Sequence, residues 1–160
     1  MPKEIVIDIG KCTGCGYCEL ICSFIHHGEF NPLKSRISAT MFISRSIAVP
    51  VVCGQCDDPL CLKACPSGAL EIKASDTSGG KVIHVDSEKC VGCKMCTIAC
   101  PFGCIFVLES TAEKCDLCGG DPQCVRFCRT GAIRYDQRNS QITEKKKQTA
   151  ERLLGSFQET

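Results

Sequence analysis

Sixteen of the seventeen cysteines in this 160-residue chain fall into four groups of four. Each group begins with Cys-x2-Cys and ends with Cys-x3-Cys, and only the gap between these two pairs varies. Thiolates are soft ligands for transition metals, so four thiols at this spacing indicate a metal-binding loop. In chain order, groups one to four are Cys12, Cys15, Cys18, Cys22; Cys53, Cys56, Cys61, Cys65; Cys90, Cys93, Cys96, Cys100; and Cys115, Cys118, Cys124, Cys128.

Groups one and three have the Cys-x2-Cys-x2-Cys-x3-Cys spacing that bacterial ferredoxins use to bind [4Fe–4S] clusters. A cubane offers four irons, and each iron needs one thiolate. Three closely spaced cysteines can hold three irons. The fourth cysteine, at which we expect a short helix or turn to begin, ligates the cluster of a neighbouring group. The sequence therefore predicts four [4Fe–4S] clusters.

Residues beside the cysteines repeat as well. Gly14 and Gly92 permit positive φ and allow backbone N–H groups to point at sulfur. A lysine directly precedes the first cysteine of groups one, three and four, at Lys11, Lys89 and Lys114. Pro66 and Pro101 follow the last cysteine of groups two and three.

Predicted strands suggest which groups lie together. Residues 69–73 and 81–86, separated by a Ser/Gly-rich turn at 75–80, predict a hairpin that joins groups two and three. Residues 4–9 and 132–135 would then pair and join groups one and four. We expect no hairpin between groups three and four, because only 14 residues separate Cys100 from Cys115.

This nested pairing predicts four ligand sets, and the alternative pairs group one with two and group three with four. The first set is Cys12, Cys15, Cys18 and Cys128; the second is Cys22, Cys115, Cys118 and Cys124; the third is Cys53, Cys56, Cys61 and Cys100; and the fourth is Cys65, Cys90, Cys93 and Cys96.

The expected fold is α+β, with two nested bacterial-ferredoxin-like lobes of short β-hairpins and small helices around four clusters. Lobe A comprises residues 1–22 with 105–136, lobe B comprises 53–104, and residues 23–52 form an insertion with a strand at 36–43. The tail, 137–160, is predicted to form a helix for subunit contact, with self-association through 138–160 as the alternative. Its apolar residues follow a helical spacing at Ala150, Leu153, Leu154 and Phe157.

Composition excludes several classes of protein. The apolar fraction of 44% includes cysteine, so the conventional core is small. The chain has no run of 18 apolar residues, and we expect no membrane span. An odd cysteine count without a signal peptide disfavours disulfides and favours the cytoplasm. A net charge of +1 without a basic stripe argues against nucleic-acid binding. Structural zinc remains an alternative, although it usually takes CxxC pairs from separate loops.

Three residues stand outside this pattern. Cys104 is the seventeenth cysteine, and it takes the place that Ala69 and Ala132 occupy after groups two and four. We expect it to be a buried structural thiol, with a redox or ligand-exchange role as the alternative. His26 and His27 are expected to pack a loop or contact a partner, with metal binding or proton transfer as the alternative.

Four fully ligated clusters leave no open metal position, and the sequence shows neither a phosphate-binding glycine loop nor a nucleophile–base pair. We therefore expect a non-catalytic protein that relays single electrons between redox partners. The alternative is a free-standing polyferredoxin that carries electrons by diffusion. Its usual strong acidity is missing here, which favours a fixed subunit.

The chain resembles the four-cluster ferredoxin-like electron-transfer subunits of oxidoreductase complexes over residues 4–136. The resemblance rests on the cysteine groups, on 28–32 (GEFNP) with 35–37 (SRI), and on 53–61 (CGQCDDPLC). Ser23 and Arg129 depart from it, because proline is expected after the last cysteine of groups one and four.

The resemblance implies a catalytic oxidoreductase partner, a tungsten or molybdenum enzyme, and the compact chain favours the tungsten aldehyde oxidoreductase type. The ferredoxin-like partner of carbon monoxide dehydrogenase, or of hydrogenase, comes second. A flavin or NAD subunit is a further expected partner.

Overall fold

The computed structural model describes residues 3–74 and 80–137, so the predicted tail helix and most of the predicted turn at 75–80 lie outside the described residues. The described chain is α+β, with eight strands paired as four separate two-stranded antiparallel sheets. The strands are β1 (Lys3–Ile7), β2 (Ile37–Phe42), β3 (Ile47–Val52), β4 (Leu70–Ala74), β5 (Lys81–Val85), β6 (Ile105–Leu108), β7 (Thr111–Lys114) and β8 (Ile133–Gln137).

Four helices carry cysteines from the four groups. They are α1 (Tyr17–His27), α2 (Leu60–Lys63), α3 (Met95–Ala99) and α4 (Gln123–Arg126). Short 3-10 turns lie at Ile9–Lys11, Pro32–Lys34, Ile43–Arg45 and Leu117–Gly120. Among the described residues, no helix is long and apolar enough to cross a membrane.

The strand pairing joins the groups as the sequence indicated. β1 pairs with β8, with Ile5 opposite Tyr135, so the chain entering group one lies beside the chain leaving group four. β4 pairs with β5, with Ile72 opposite Ile83, which connects groups two and three. β2 and β3 form the hairpin of the insertion, where a strand was expected at 36–43.

The expectation that no hairpin fits between groups three and four was wrong. β6 and β7 form one, with Leu108 opposite Thr111. The turn needs only two residues, and Glu109 adopts a φ of 57° there, so two four-residue strands fit into the available chain.

The helices begin earlier than the sequence predicted. Each was expected to begin at the fourth cysteine of its group, but α1 and α3 already contain the third cysteine, at Cys18 and Cys96. In Cys-x3-Cys the two cysteines are four residues apart. A helix over this segment therefore brings both side chains to the same face, one turn apart. α3 ends before Pro101, whereas α1 continues past Ser23 to His27 because no proline interrupts it.

The buried residues form three small clusters that include the cysteines. The first contains Cys18, Cys22, Ile37, Cys124 and Ile133, and the second contains Leu70, Ile83, Cys96, Ile105 and Ala112. Through Ile105 and Ala112 the β6–β7 hairpin therefore packs with residues of the predicted lobe B. The third cluster contains Val82, Cys115 and Leu117, and both Cys53 and Tyr135 pack against it. It joins the two halves of the protein, which are the half that carries groups one and four and the half that carries groups two and three.

Candidate iron–sulfur centres

Three cavities in the structure are each lined by four cysteines. They enclose similar amounts of empty space, about 340, 300 and 320 Å³, part of which opens to solvent. In each cavity, three cysteines come from one group and one from the group that is nested with it. The cysteines are Cys12, Cys15, Cys18 and Cys128 in the first cavity, Cys22, Cys115, Cys118 and Cys124 in the second, and Cys65, Cys90, Cys93 and Cys96 in the third.

The remaining set of cysteines also lies close together. The thiol of Cys61 interacts electrostatically with those of Cys53 and Cys100. Cys104 in turn interacts with Cys53, Cys56 and Cys100. Cys100, the last cysteine of group three, thus lies within electrostatic range of Cys61, and Cys104 lies within range of Cys53, Cys56 and Cys100.

Helix packing explains this exchange of cysteines between groups. α1 of group one packs against α4 of group four, and α2 packs against α3. The third and fourth cysteines of a group are one helical turn apart, and they lie at neighbouring sites, as Cys18 and Cys22 do in the first and second cavities. Cys22 thus lies with the cysteines of group four, whereas the sequential alternative would have placed it with group two.

Backbone N–H groups point at several of the cysteine sulfurs. The N–H of Arg36 donates to Cys22 Sγ over 3.4 Å, and the N–H of Ala112 donates to Cys90 Sγ over 3.3 Å. Equivalent bonds reach Cys115 from Leu117 over 3.5 Å and Cys128 from Ile133 over 3.4 Å. Such donors stabilise negative charge on sulfur, as a thiolate-bound iron–sulfur cluster requires.

Burial alone disfavours the thiolate form of several cysteines. It raises the pKa of Cys18 to about 11 and that of Cys124 to about 12, and it raises the pKa of the fully enclosed Cys115 well above its usual value. A buried thiolate is stable when a bound cation compensates its charge. Four soft sulfur donors around one small cavity are the donor set of iron–sulfur clusters, so these residues fit that cofactor.

Two glycines close the loops around the cavities. At Gly14 (φ 68°), an added Cβ would lie 2.5 Å from Met41 Cε, and at Gly92 (φ 65°) it would lie 2.8 Å from the backbone oxygen of Ser110. A side chain at either position would meet both an unfavourable φ and a close neighbour. The sequence predicted the backbone freedom of these glycines, but not their close packing.

The second cavity has a charged wall that the sequence analysis did not identify. Arg36 pairs with Glu113 over 2.6 Å and with Asp116 over 2.9 Å. His26 Nε2 lies 3.6 Å from Asp116 Oδ1 and 3.7 Å from Cys118 Sγ, so these three side chains could share a metal ion. In the sequence Arg36 belongs to a predicted strand and to the SRI motif, and nothing local links it to residues about 80 positions away.

The ionisable side chains on this wall differ in how readily they carry a charge at neutral pH. Burial and the neighbouring Arg36 lower the pKa of His26, so its imidazole is largely neutral at pH 7. Burial acts to raise the pKa of Asp116, but nearby positive charge and backbone N–H groups hold it below its usual value. Arg36 is therefore the permanent cation of the second cavity wall.

The remaining candidates differ from one another. Cys104 is only half-buried, unlike the fully buried Ala69 and Ala132 at the matching positions. Its Sγ donates to the Phe102 oxygen over 3.4 Å, and burial raises its pKa to about 12, so it is a neutral thiol. His27 Nε2 is buried without a hydrogen-bond partner among the described residues.

Comparisons with known proteins match this chain to iron–sulfur domains. The family model for 4Fe-4S dicluster domains matches residues 45–138, and a 4Fe-4S binding domain model matches residues 9–25. The polyferredoxin-like subunit of aliphatic sulfonate oxidoreductase from Pyrococcus furiosus is 41% identical over 126 residues, which cover 78% of this chain and 70% of that protein. The electron transport protein HydN of Escherichia coli is 32% identical, and the match covers 94% of this chain and 98% of that protein.

Other relatives are much longer. The putative oxidoreductase UacF of Escherichia coli is 36% identical over 84% of this chain, but the chain spans only 21% of that protein. Among solved structures, the active site complex BamBC of benzoyl coenzyme A reductase with 1,5-dienoyl-CoA contains a similar chain. The two are 27% identical with a TM-score of 0.50, and the match covers 86% of this chain and 76% of that one. The cysteine cavities and these matches together show that the chain belongs to the family of 4Fe-4S dicluster domains.

Proposed function

We propose that this protein is a non-catalytic electron-transfer subunit of an oxidoreductase complex and binds four [4Fe–4S] clusters. The observation that carries the proposal is the set of three cavities that each bring together four cysteines, in the combination predicted for the first, second and fourth ligand sets. The electrostatic contact of Cys61 with Cys53 and Cys100 supports the third set.

When bound, each cluster supplies a centre that accepts and releases a single electron. The chain itself holds the thiolates in place through the paired helices, and backbone N–H groups donate to the sulfurs. Its small apolar clusters keep water away from the inner sulfurs, as the burial of Cys18, Cys22 and Cys124 indicates. Two nested lobes of two clusters each would place all four centres in one small protein.

The partner that we favour is a catalytic subunit of the tungsten or molybdenum aldehyde oxidoreductase type. A carbon monoxide dehydrogenase or hydrogenase comes second, and a flavin or NAD subunit would be a further redox partner. The role as a subunit of an oxidoreductase complex, though not the metal of the partner, is supported by a relative that is named as the polyferredoxin-like subunit of an oxidoreductase and by a structurally similar chain in a benzoyl-CoA reductase complex.

A free-standing carrier is the second candidate function. HydN is named an electron transport protein, and the match to it extends over 98% of its length. A carrier would use the same four sets of cysteines but would be isolated without a catalytic subunit. The two functions therefore differ in what purifies with the chain.

The first experiment is anaerobic purification from the native host, followed by elemental analysis. We expect about 16 iron atoms per chain, four for each cluster, together with tungsten or molybdenum from the partner. Nickel would indicate carbon monoxide dehydrogenase or hydrogenase, and iron alone would indicate the free carrier. Zinc without iron would contradict the proposed function.

A matched pair of cysteine variants tests the ligand assignment. Cys124→Ala removes a ligand of the second set, and we expect the iron content to fall from about 16 to about 12 atoms per chain. Cys104→Ala, which removes a thiol outside the four sets, should leave the iron content unchanged. Equal loss in both variants would contradict the assignment.

A further inference from the structure

Lys114 is a buried lysine at the junction between the two halves of the protein. It is the last residue of β7, and its exposed fraction is only 3%. Side chains alternate along a strand, so Lys114 points to the same side as Ala112, which is also buried. Long cationic side chains are seldom buried this deeply unless their charge is compensated.

The ammonium of Lys114 contacts three oxygens. Nζ donates to the backbone oxygen of Ile83 over 2.7 Å, to that of Cys115 over 2.8 Å, and to Gln55 Oε1 over 3.5 Å. Three acceptors match the three N–H donors of a protonated amine. Within residues 3–74 and 80–137, no carboxylate forms an ion pair with this group. The positive charge is therefore fixed in place without an ion-pair partner among the described residues.

Gln55 ties Lys114 to the other half of the chain. It lies between Cys53 and Cys56, and its side-chain amide donates to the Cys115 oxygen over 2.7 Å. Its Oε1 also accepts from the N–H of Ile83 over 2.9 Å. The ammonium thus lies between a loop of the third cysteine set and the first cysteine of group four.

The field of Lys114 reaches cysteines of both sets. Its Nζ is hydrogen-bonded to the backbone oxygen of Cys115, in the second set, and to Gln55, which lies between Cys53 and Cys56 of the third set. Its charge also interacts electrostatically with Cys61 of the third set. One charge therefore influences two of the predicted cluster sites.

The other lysines that precede a cysteine group are placed differently. Lys11 pairs with Asp8 over 3.4 Å and Lys89 pairs with Asp86 over 2.9 Å, and both lysine side chains are about half exposed, at 55%. Solvent and a carboxylate screen their charges. Lys114 is buried and has no carboxylate partner in the part of the chain that the structure describes, although it occupies the same position in the sequence motif.

We propose that Lys114 is a shared buried counter-charge for the second and third cluster sites, and that it makes both clusters easier to reduce. This inference rests on the proposed function, because it assumes clusters at these two sites. Desolvating an ammonium is unfavourable, and an anionic cluster on either side offsets that cost. Reduction adds one electron and one negative charge to a cluster, so a fixed cation nearby favours the reduced state.

The test compares variants of the anaerobically purified, cluster-loaded chain. The neutral variants are Lys114→Met and Lys114→Gln, Lys114→Arg keeps the charge, and Lys89→Met removes the exposed lysine before group three. Each is titrated with dithionite and followed by electron paramagnetic resonance, with iron content measured in parallel. We expect both neutral variants to shift the midpoint potentials of two of the four clusters to more negative values. Lys114→Arg and Lys89→Met should remain close to the unmodified protein.

The outcomes separate charge from packing. Unchanged potentials in Lys114→Met at full iron content would overturn the inference, and so would an equal shift in Lys89→Met. If the neutral variants lose iron and Lys114→Arg retains it, the charge is required and the inference stands. If all three Lys114 variants lose iron equally, the side chain serves packing alone and the inference fails. Fewer than about 16 iron atoms in the unmodified chain would instead count against the proposed function.

Discussion

The dipeptide Lys-Cys begins both group three and group four, but the two lysines have opposite surroundings. Lys89 lies in the turn after β5, about half exposed, and pairs with Asp86 three residues earlier. That contact raises the pKa of Lys89 and lowers the pKa of Asp86. Lys114 ends β7 and is buried against backbone oxygens and Gln55.

The difference lies in the residues that surround each dipeptide. In group three the chain reaches the first cysteine through a polar turn, so the lysine extends into solvent. In group four the chain reaches it along a strand whose inner face is buried, so strand alternation turns the lysine inward. The residues on either side of Lys114–Cys115, Glu113 and Asp116, are in turn held by Arg36. The same local sequence therefore has a different electrostatic role in each half.

The largest expected effect comes from replacing Arg36, which pairs with Glu113 and Asp116 beside the first cysteine of group four. Arg36→Met would leave the carboxylates of Glu113 and Asp116 partly buried without their cation, and their side chains are only 15% and 30% exposed. Breaking such a pair costs about 3 kcal/mol. Cluster loss is irreversible, so the measurement is the rate at which visible cluster absorbance disappears in guanidinium chloride. We expect a rate about 100-fold faster, which corresponds to that free energy.

The control for this variant is Arg126→Met. Arg126 also pairs with an aspartate over 2.9 Å, but both partners, Arg126 and Asp121, are more than half exposed. Exposed pairs contribute about 0.5 kcal/mol, so the rate should change little. Equal acceleration in the two variants would show that Arg36 does not specifically support the group-four region.

A smaller effect is expected from Gln55, which holds Lys114 in place. Gln55→Met keeps the side-chain length but removes the acceptor of the Ile83 N–H and the donor to the Cys115 oxygen. Leaving buried polar groups unpaired costs about 2 kcal/mol, so cluster loss in guanidinium chloride should be roughly 30-fold faster. Gln123→Met is the control, because the Gln123 amide bonds only to the exposed Asp121. If Gln55→Met behaved like the control, the network around Lys114 would not be stabilising.

The sequence predicted much of the framework and little of this electrostatic contrast. Predicted strands before group one and after group four were expected to pair with each other because groups two and three share their own hairpin, and the structure confirms the pairing of β1 with β8. The β6–β7 hairpin was missed because the 14 residues between Cys100 and Cys115 were expected to be too short a segment, and because its two-residue turn, Glu109 and Ser110, contains no glycine or asparagine to mark it. Because that hairpin was not predicted, no strand pattern placed Lys114 on the buried face, opposite to the face of Thr111 and Glu113. The contacts of Arg36 also depend on tertiary structure, which no local pattern records.

The lysine before group three, Lys89, is exposed, and the loop between Cys90 and Cys93 is instead packed closely against the backbone of Ser110 at Gly92. Gly92 and Gly14 occupy equivalent positions with nearly equal φ, 65° and 68°, so alanine meets similar backbone strain at both. The new methyl group of Gly92→Ala would lie 2.8 Å from the Ser110 backbone oxygen, at the turn of the β6–β7 hairpin. In Gly14→Ala the closest atom, at 2.5 Å, is the end of the flexible Met41 side chain, which can move aside.

We therefore expect Gly92→Ala to cost about 1 kcal/mol more than Gly14→Ala, because overpacking against a backbone is relieved less easily than against a side chain. Cluster loss in guanidinium chloride should then be roughly five-fold faster in Gly92→Ala than in Gly14→Ala. Equal rates would mean that the backbone of the β6–β7 turn moves aside as easily as the side chain of Met41. In that case close packing at Gly92 would not stabilise the group-three loop more than packing at Gly14 stabilises the group-one loop, and the contrast between groups three and four would rest on Lys114 and Arg36.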